Sequence, residues 1–249
     1  MIKFFRKIRY DLMKKNKTGK YLKYAFGEII LVVIGILIAL QINNWNEANK
    51  KKALMITNIR SIAEDIQTDI LDIKKTNRSL HKQVVAANYI IPILESENRI
   101  IADSLGFIMG FNSFTSTQII SERSNTWNYL NSSGILSEFP DAKLLKLLQD
   151  YYKYYNNVVT NFTNSGNPAR LEIRKLKYEL FSDKEHRKFF PTNSPKIPNV
   201  EVYNAIFKDS RILPLCRFIG STAYYFESSF NSVQSKAETI LDYIDEKYK

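Results

Sequence analysis

From Ile29 to Leu40 every position is apolar or glycine, and the aromatic residues Tyr24 and Trp45 flank that run. The 21 helical rises between them cover ~32 Å at ~1.5 Å per residue, enough for a bilayer's hydrocarbon core and its edges. Both rings sit where amphipathic aromatics favour the membrane interface. A cleaved signal peptide is the competing reading. It lacks a small-x-small site, because the candidate reads Ala39-Leu40-Gln41-Ile42-Asn43. The pattern predicts a retained transmembrane helix over residues 24–45.

Beyond the span the pattern changes to a stripe. Ile59, Ala63, Ile66, Ile70, Ile73, Asn77, Leu80, Val84, Ala87 and Ile91 follow at alternating steps of four and three. Glu28, Leu31, Gly35, Ile38, Ile42 and Trp45 keep the same phase, and no Gly or Pro interrupts residues 36–91. One helix is therefore expected from the membrane to about Tyr89, kinked or ended by Pro92. A matching stripe, Cys216, Ile219, Ala223, Phe226, Phe230, Val233, Ala237, Ile240 and Ile244, marks a long C-terminal helix. Two such helices read as neighbours in a bundle, with an intermolecular coiled coil as the alternative.

Shorter helices are expected between them. One runs from Gln118 to Asn131 and stops at Gly134, which suits a left-handed C′ residue. Another opens at Asp141, carries Leu144, Leu148, Tyr151, Tyr152, Tyr155 and Phe162, and ends at Asn164-Ser165-Gly166. Asn167 then caps a further helix with Pro168 in its first turn. A short helix over about Val200 to Lys208 follows the prolines at 191, 195 and 198. Residues 106–117 show no helical period and suit a buried loop or a short strand equally. The fold class is all-α: a single N-terminal transmembrane helix continuous with a long helix of an extracytoplasmic antiparallel helical bundle. Residues 1–23 form a cytoplasmic basic segment, 24–45 the span and 46–249 the bundle domain.

Charge gives this reading its direction. Nine Lys and Arg precede the span, and three (Lys50, Lys51, Lys52) follow it closely, which places the N-terminus in the cytoplasm. Residues 1–52 carry a net +9 of the chain's +11, leaving +2 for the rest. The basicity is thus a membrane flank, and nucleic acid is not an expected partner. Phe4, Phe5, Ile8 and Leu12 at helical spacing suggest a short amphipathic helix on the inner leaflet, with a frayed basic tail as the alternative.

Chemistry is sparse. Glu28 and Gln41 either snorkel to their interfaces or face a partner; Glu28, Gly35 and Ala39 share one face that could pack on another helix. Cys216 is alone on the C-terminal stripe and reads as a small buried hydrophobe. His81 and His186 stand apart from each other, and no phosphate loop, nucleophile elbow or metal motif occurs. No catalytic, cofactor or metal residue is nominated. Among the dense aromatics, Tyr154 and Tyr225 fall off the core stripes and are the candidates for surface binding.

The run Lys20-YLKYAFGEIILVVIGILIALQINNWN-Glu47 resembles the opening of a family of uncharacterised single-span membrane proteins abundant in Bacteroidota. Thr126-Trp127-Asn128-Tyr129-Leu130 and Asp150-Tyr151-Tyr152 are similar to weaker features of that family. The resemblance implies a Gram-negative inner membrane with a periplasmic domain, and it transfers no functional residue. The leading expectation is a non-enzymatic binding or assembly module, engaging the bilayer and a protein partner or a second copy through its span and heptad helix. A ligand-binding, sensor-like bundle acting through a partner is the alternative, and an envelope enzyme the third class. A polar pocket between the helices favours the second, and a dry core counts against it.

Overall fold

A computed structural model describes Arg6, Tyr10, residues 18–188 and residues 197–248. The expected amphipathic stripe over Phe4, Phe5, Ile8 and Leu12 lies outside the described residues. The described elements are helical, with no strand among them. They are α1 (Thr18–Glu95), α2 (Ser104–Phe114), α3 (Asn125–Ser132), a 3-10 turn (Ile135–Glu138) and α4 (Ala142–Asn161). A π turn (Phe162–Gly166), α5 (Asn167–Leu180), α6 (Asp183–Arg187), α7 (Val200–Lys208) and α8 (Ile212–Tyr248) complete the chain. The chain divides into two compact units, residues 1–57 and 58–249.

In the first unit, α1 contains a window of mean hydropathy 2.5, and none of that window is buried. This helix is long and apolar enough to cross a membrane. A core helix of a soluble domain with this composition would be covered by protein; here Leu31, Leu37 and Ile42 are all exposed.

In the second unit, three long helical runs form the frame. The bonds Asn77 to Asn231, His81 to Glu227 and Arg217 to Glu95 make α1 and α8 antiparallel. The bonds Asp69 to Tyr151 and Gln83 to Arg170 make α1 parallel to the run α4–α5. All nine residues of the C-terminal stripe are buried. Helix α4 opens at Asp141 as expected, and the Asp141 side chain caps it by accepting from the Lys143 and Leu144 amides. Its other contacts clasp the end of α8, receiving the Tyr243 and Tyr248 hydroxyls and the Lys247 ammonium. Burial pushes the Asp141 carboxyl upward, but Lys247, the Leu144 amide and the two tyrosines outweigh it and hold it well below the usual carboxylate range. Gly134 takes the left-handed conformation at φ 74°, as a C′ glycine should.

Several elements differ from expectation. Helix α1 passes through Pro92 to Glu95, because Leu94 at the next heptad position is buried and rewards the extra turn. Of residues 106–117, expected as loop or strand, those up to Phe114 are helical and belong to α2, while 115–117 form no helix. Phe107, Ile108, Phe111 and Phe114 are buried, and a Cβ on Gly110 would lie 3.0 Å from Ile90 and 3.2 Å from Ala86. That glycine serves close packing against α1, and its presence does not break the helix. The helix expected from Gln118 begins only at Asn125. The stop expected at Asn164-Ser165-Gly166 is a π turn that runs on into α5. Asn167 is its first residue and does not act as its cap, and Gly166 fits beneath the Phe162 and Phe226 rings.

The largest correction concerns α1. One buried row is as expected: Ile59, Ile66, Ile73, Leu80 and Ala87, extended by Leu94. The second expected row was Ala63, Ile70, Asn77, Val84 and Ile91, of which only Ile70 is buried. The row buried instead lies one residue earlier: Ile62, Asp69, Thr76, Gln83 and Ile90. Three of its five members are polar, which is why a hydrophobic pattern could not find it.

Candidate functional site

The polar row follows from the chain it covers. Residues 116–124 form no regular secondary structure, yet run back along α1. Their amides and carbonyls have no ladder partner, and a buried backbone group without one costs free energy comparable to a lost hydrogen bond. Side chains supply the partners. Gln83 donates to the Ser113 and Ser116 carbonyls at 3.0 Å each. Asp69 accepts from the Arg123 amide at 2.8 Å, Tyr152 donates to the Arg123 carbonyl, and Asn167 donates to the Gln118 carbonyl.

Two buried charges join this network. Arg170 is fully buried, and its guanidinium bonds Gln83 Oε1 through Nε at 3.0 Å and Nη2 at 2.7 Å, and the Gly166 carbonyl at 2.6 Å. It also lies over the Phe162 ring, 5.3 Å from its centroid. No carboxylate pairs with it among the described residues, and burial pulls it down to about 10. Asp69 accepts the Tyr151 hydroxyl at 2.7 Å, and burial pushes it up to about 6 against that bond and the Arg123 amide.

Beside this network lies a cleft of about 740 Å³ between α1, the end of α2, residues 115–118, α5 and α6. Lys75, Arg78 and Lys82 line it from α1, at steps of three and four that place them on one face. Arg174 and Lys177 face them from α5, and His186 from α6. The lining contains no carboxylate among the described residues. Arg174 is held by the Thr115 carbonyl at 2.9 Å and Thr117 Oγ1 at 3.0 Å. Lys177 is buried and donates to Asn112 Oδ1; burial, with Arg174 adding to it, pushes its ammonium down to about 8. His186 stacks on Tyr178 at 3.9 Å, and burial, then Lys177, lowers it. Away from the cleft several exposed cations are paired with carboxylates: Arg123 with Asp72, Arg211 with Asp209 and Arg217 with Glu95.

None of the residues nominated from sequence lines this cleft. Glu28, Gly35, Ala39, Gln41 and Trp45 belong to the first unit; Gln41 and Trp45 are exposed, and Gly35 has no neighbour within 4 Å of a Cβ placed there. Tyr154 is half-buried with Lys236 over its ring at 5.4 Å, and Tyr225 is exposed, edge-on to Phe226. Cys216 is buried, its thiol pushed up to about 12 by burial. No cluster of three metal-ligating side chains occurs among the described residues.

The profile of a family of unknown function, DUF6090, matches residues 28–164, more than half of the chain. The chain belongs to this family. The DUF6090 match takes in most of the apolar stretch, all of the polar row and the descending segment 116–124. It ends before Arg174 and Lys177, the α5 side of the cleft. Searches of curated proteins and of solved structures return no match.

Proposed function

We propose that this DUF6090 chain is a non-enzymatic binding protein anchored in a bacterial inner membrane. In this reading residues 1–23 are cytoplasmic, residues 24–45 span the bilayer, and the helical domain is periplasmic and takes a small solute in the cleft. The charge asymmetry about the apolar stretch supports the orientation. A domain on the far side of a single span reports a bound solute through a protein partner or a second copy, and the face carrying Glu28, Gly35 and Ala39 suits such packing.

The observation that carries the reading is the cleft itself. Its volume lies within the roughly 300–1,000 Å³ of small-molecule sites, and convergent polar groups line it where a purely structural bundle would be filled. Binding fits better than turnover because two of the five hydroxyl residues in the lining are committed to backbone, Ser113 to the Gly110 carbonyl and Thr115 to that of Asn112, and no activated nucleophile is paired with a base there among the described residues. The test is thermal unfolding of the full chain in detergent against the dialysable fraction of a bacterial extract. Stabilisation by a solute, lost when Met109→Trp fills the cleft, supports the reading. Stabilisation that survives Met109→Trp contradicts it.

A further inference from the structure

The cleft has a chemical preference written into its walls. Lys75, Arg78 and Lys82 are exposed on one face of α1, and no ion pair among the described residues involves them or Arg174. Like charges gathered in a concave, low-dielectric wall repel one another and focus a positive potential into the space between them. Nothing in the packing requires this arrangement. The polar row and the descending segment satisfy each other without the three α1 cations, and Arg174 bonds only the Thr115 carbonyl and Thr117 Oγ1 of that segment. Asn112 and Gln118 add neutral hydrogen-bonding groups to the same walls.

We propose that the cleft binds a small phosphorylated solute carrying at least two negative charges, held between Lys75, Arg78 and Lys82 of α1 and Arg174 and Lys177 of α5. The inference rests on the cleft being the ligand site. Two cationic walls facing each other suit a tetrahedral dianion, whose oxygens accept from several directions, better than one planar carboxylate, which a single guanidinium satisfies in two parallel bonds. The volume exceeds what inorganic phosphate would fill, so the phosphate is attached to an organic body or to a second phosphate. A soluble phosphate ester and a phospholipid headgroup share this chemistry.

The test is calorimetric titration of the full chain in phosphatidylcholine nanodiscs at pH 7. The probes are pyrophosphate, glycerol 3-phosphate, citrate, maltose and spermidine. Pyrophosphate and glycerol 3-phosphate bind. The triple variant Lys75→Gln, Arg78→Gln, Lys82→Gln weakens them at least about tenfold, since partly exposed pairs contribute a few-fold each. Arg60→Gln, an exposed cation of α1 outside the cleft, leaves affinity unchanged. Raising salt weakens binding in the wild type more than in the triple variant. Nanodiscs containing phosphatidylglycerol separate the sources: competition with pyrophosphate assigns the site to a lipid headgroup, and its absence to a free solute. No binding by either phosphate overturns the inference. Binding of citrate alone, or of maltose or spermidine abolished by Met109→Trp, also overturns it while leaving the solute-binding reading intact.

Discussion

Two rows of side chains run down the same face of α1 and do different work. Ile59, Ile66, Ile73, Leu80, Ala87 and Leu94 are apolar and fill the bundle. Ile62, Asp69, Thr76, Gln83 and Ile90 are equally buried, yet the middle three are polar. The first row meets helices, whose backbone is already satisfied, so it needs only area and shape. The second meets residues 113–124, where the backbone leaves the helix and must find partners in side chains. Burial is therefore not one environment. Where a helix covers another helix, apolar residues are selected; where it covers an irregular segment, hydrogen-bonding capacity is. The cleft lies beside the second kind of wall, with Thr115, Ser116 and Gln118 of the irregular segment in its lining.

The sharpest way to break the contrast is Gln83→Leu. It places an apolar residue on the polar row, taking from the buried Arg170 guanidinium the acceptor that holds both its Nε and its Nη2, and from the Ser113 and Ser116 carbonyls their side-chain donor. A loss of about 3–5 kcal/mol is expected in urea unfolding of the full chain in detergent. Adding Arg170→Met should restore part of it, because the buried charge is then gone. A loss below about 1 kcal/mol for the single variant would make the polar row dispensable.

Asp69 gives a pH test on the same row. Its folded-state value of about 6 lies above the ordinary carboxylate range of about 4, so the folded chain holds that proton more tightly than the unfolded one. Its contribution is fully favourable below about pH 4 and declines as pH rises to about 6, by roughly 3 kcal/mol in all. The groups acting on it are Arg123, Tyr151 and Asp65. Asp69→Asn removes the titration, so wild type minus variant stability should fall between pH 4.5 and pH 7 and stay flat above. A difference that rises, or does not move, would contradict the assigned environment.

On the apolar row the effects are smaller. Ile66→Val deletes one buried methylene in a site that needs no hydrogen bond, at a cost of about 0.5–1.5 kcal/mol independent of pH. Smallest of all, the triple glutamine variant at Lys75, Arg78 and Lys82 should leave unliganded stability within about 0.5 kcal/mol, because exposed charges contribute little to folding. A large loss there would turn the cationic face into a structural feature.

Much of this was legible in the sequence. The C-terminal stripe, the helix start at Asp141 and the left-handed Gly134 follow from local rules of period, capping and backbone conformation. The polar row was not legible, because Asp69, Thr76 and Gln83 look like a solvated face until the segment they hold is placed beside them. The helix at 104–114 was missed because residues 106–117 show no sustained helical period, although Phe107, Phe111 and Phe114 carry a helical spacing. The two basic faces, Lys75, Arg78 and Lys82 on one helix and Arg174 and Lys177 on another, are each visible as steps of three and four. Only the parallel run of α1 and α5 brings them together, and that is a tertiary fact.

Hydrogen exchange on the full chain in nanodiscs, with and without pyrophosphate, tests most directly whether the polar row holds one wall of a ligand site. The account predicts slower exchange for amides of residues 112–118 and 174–178, which line the cleft, with residues 233–244 on the far end of α8 unchanged. Equal protection everywhere, or none at residues 112–118, would contradict it.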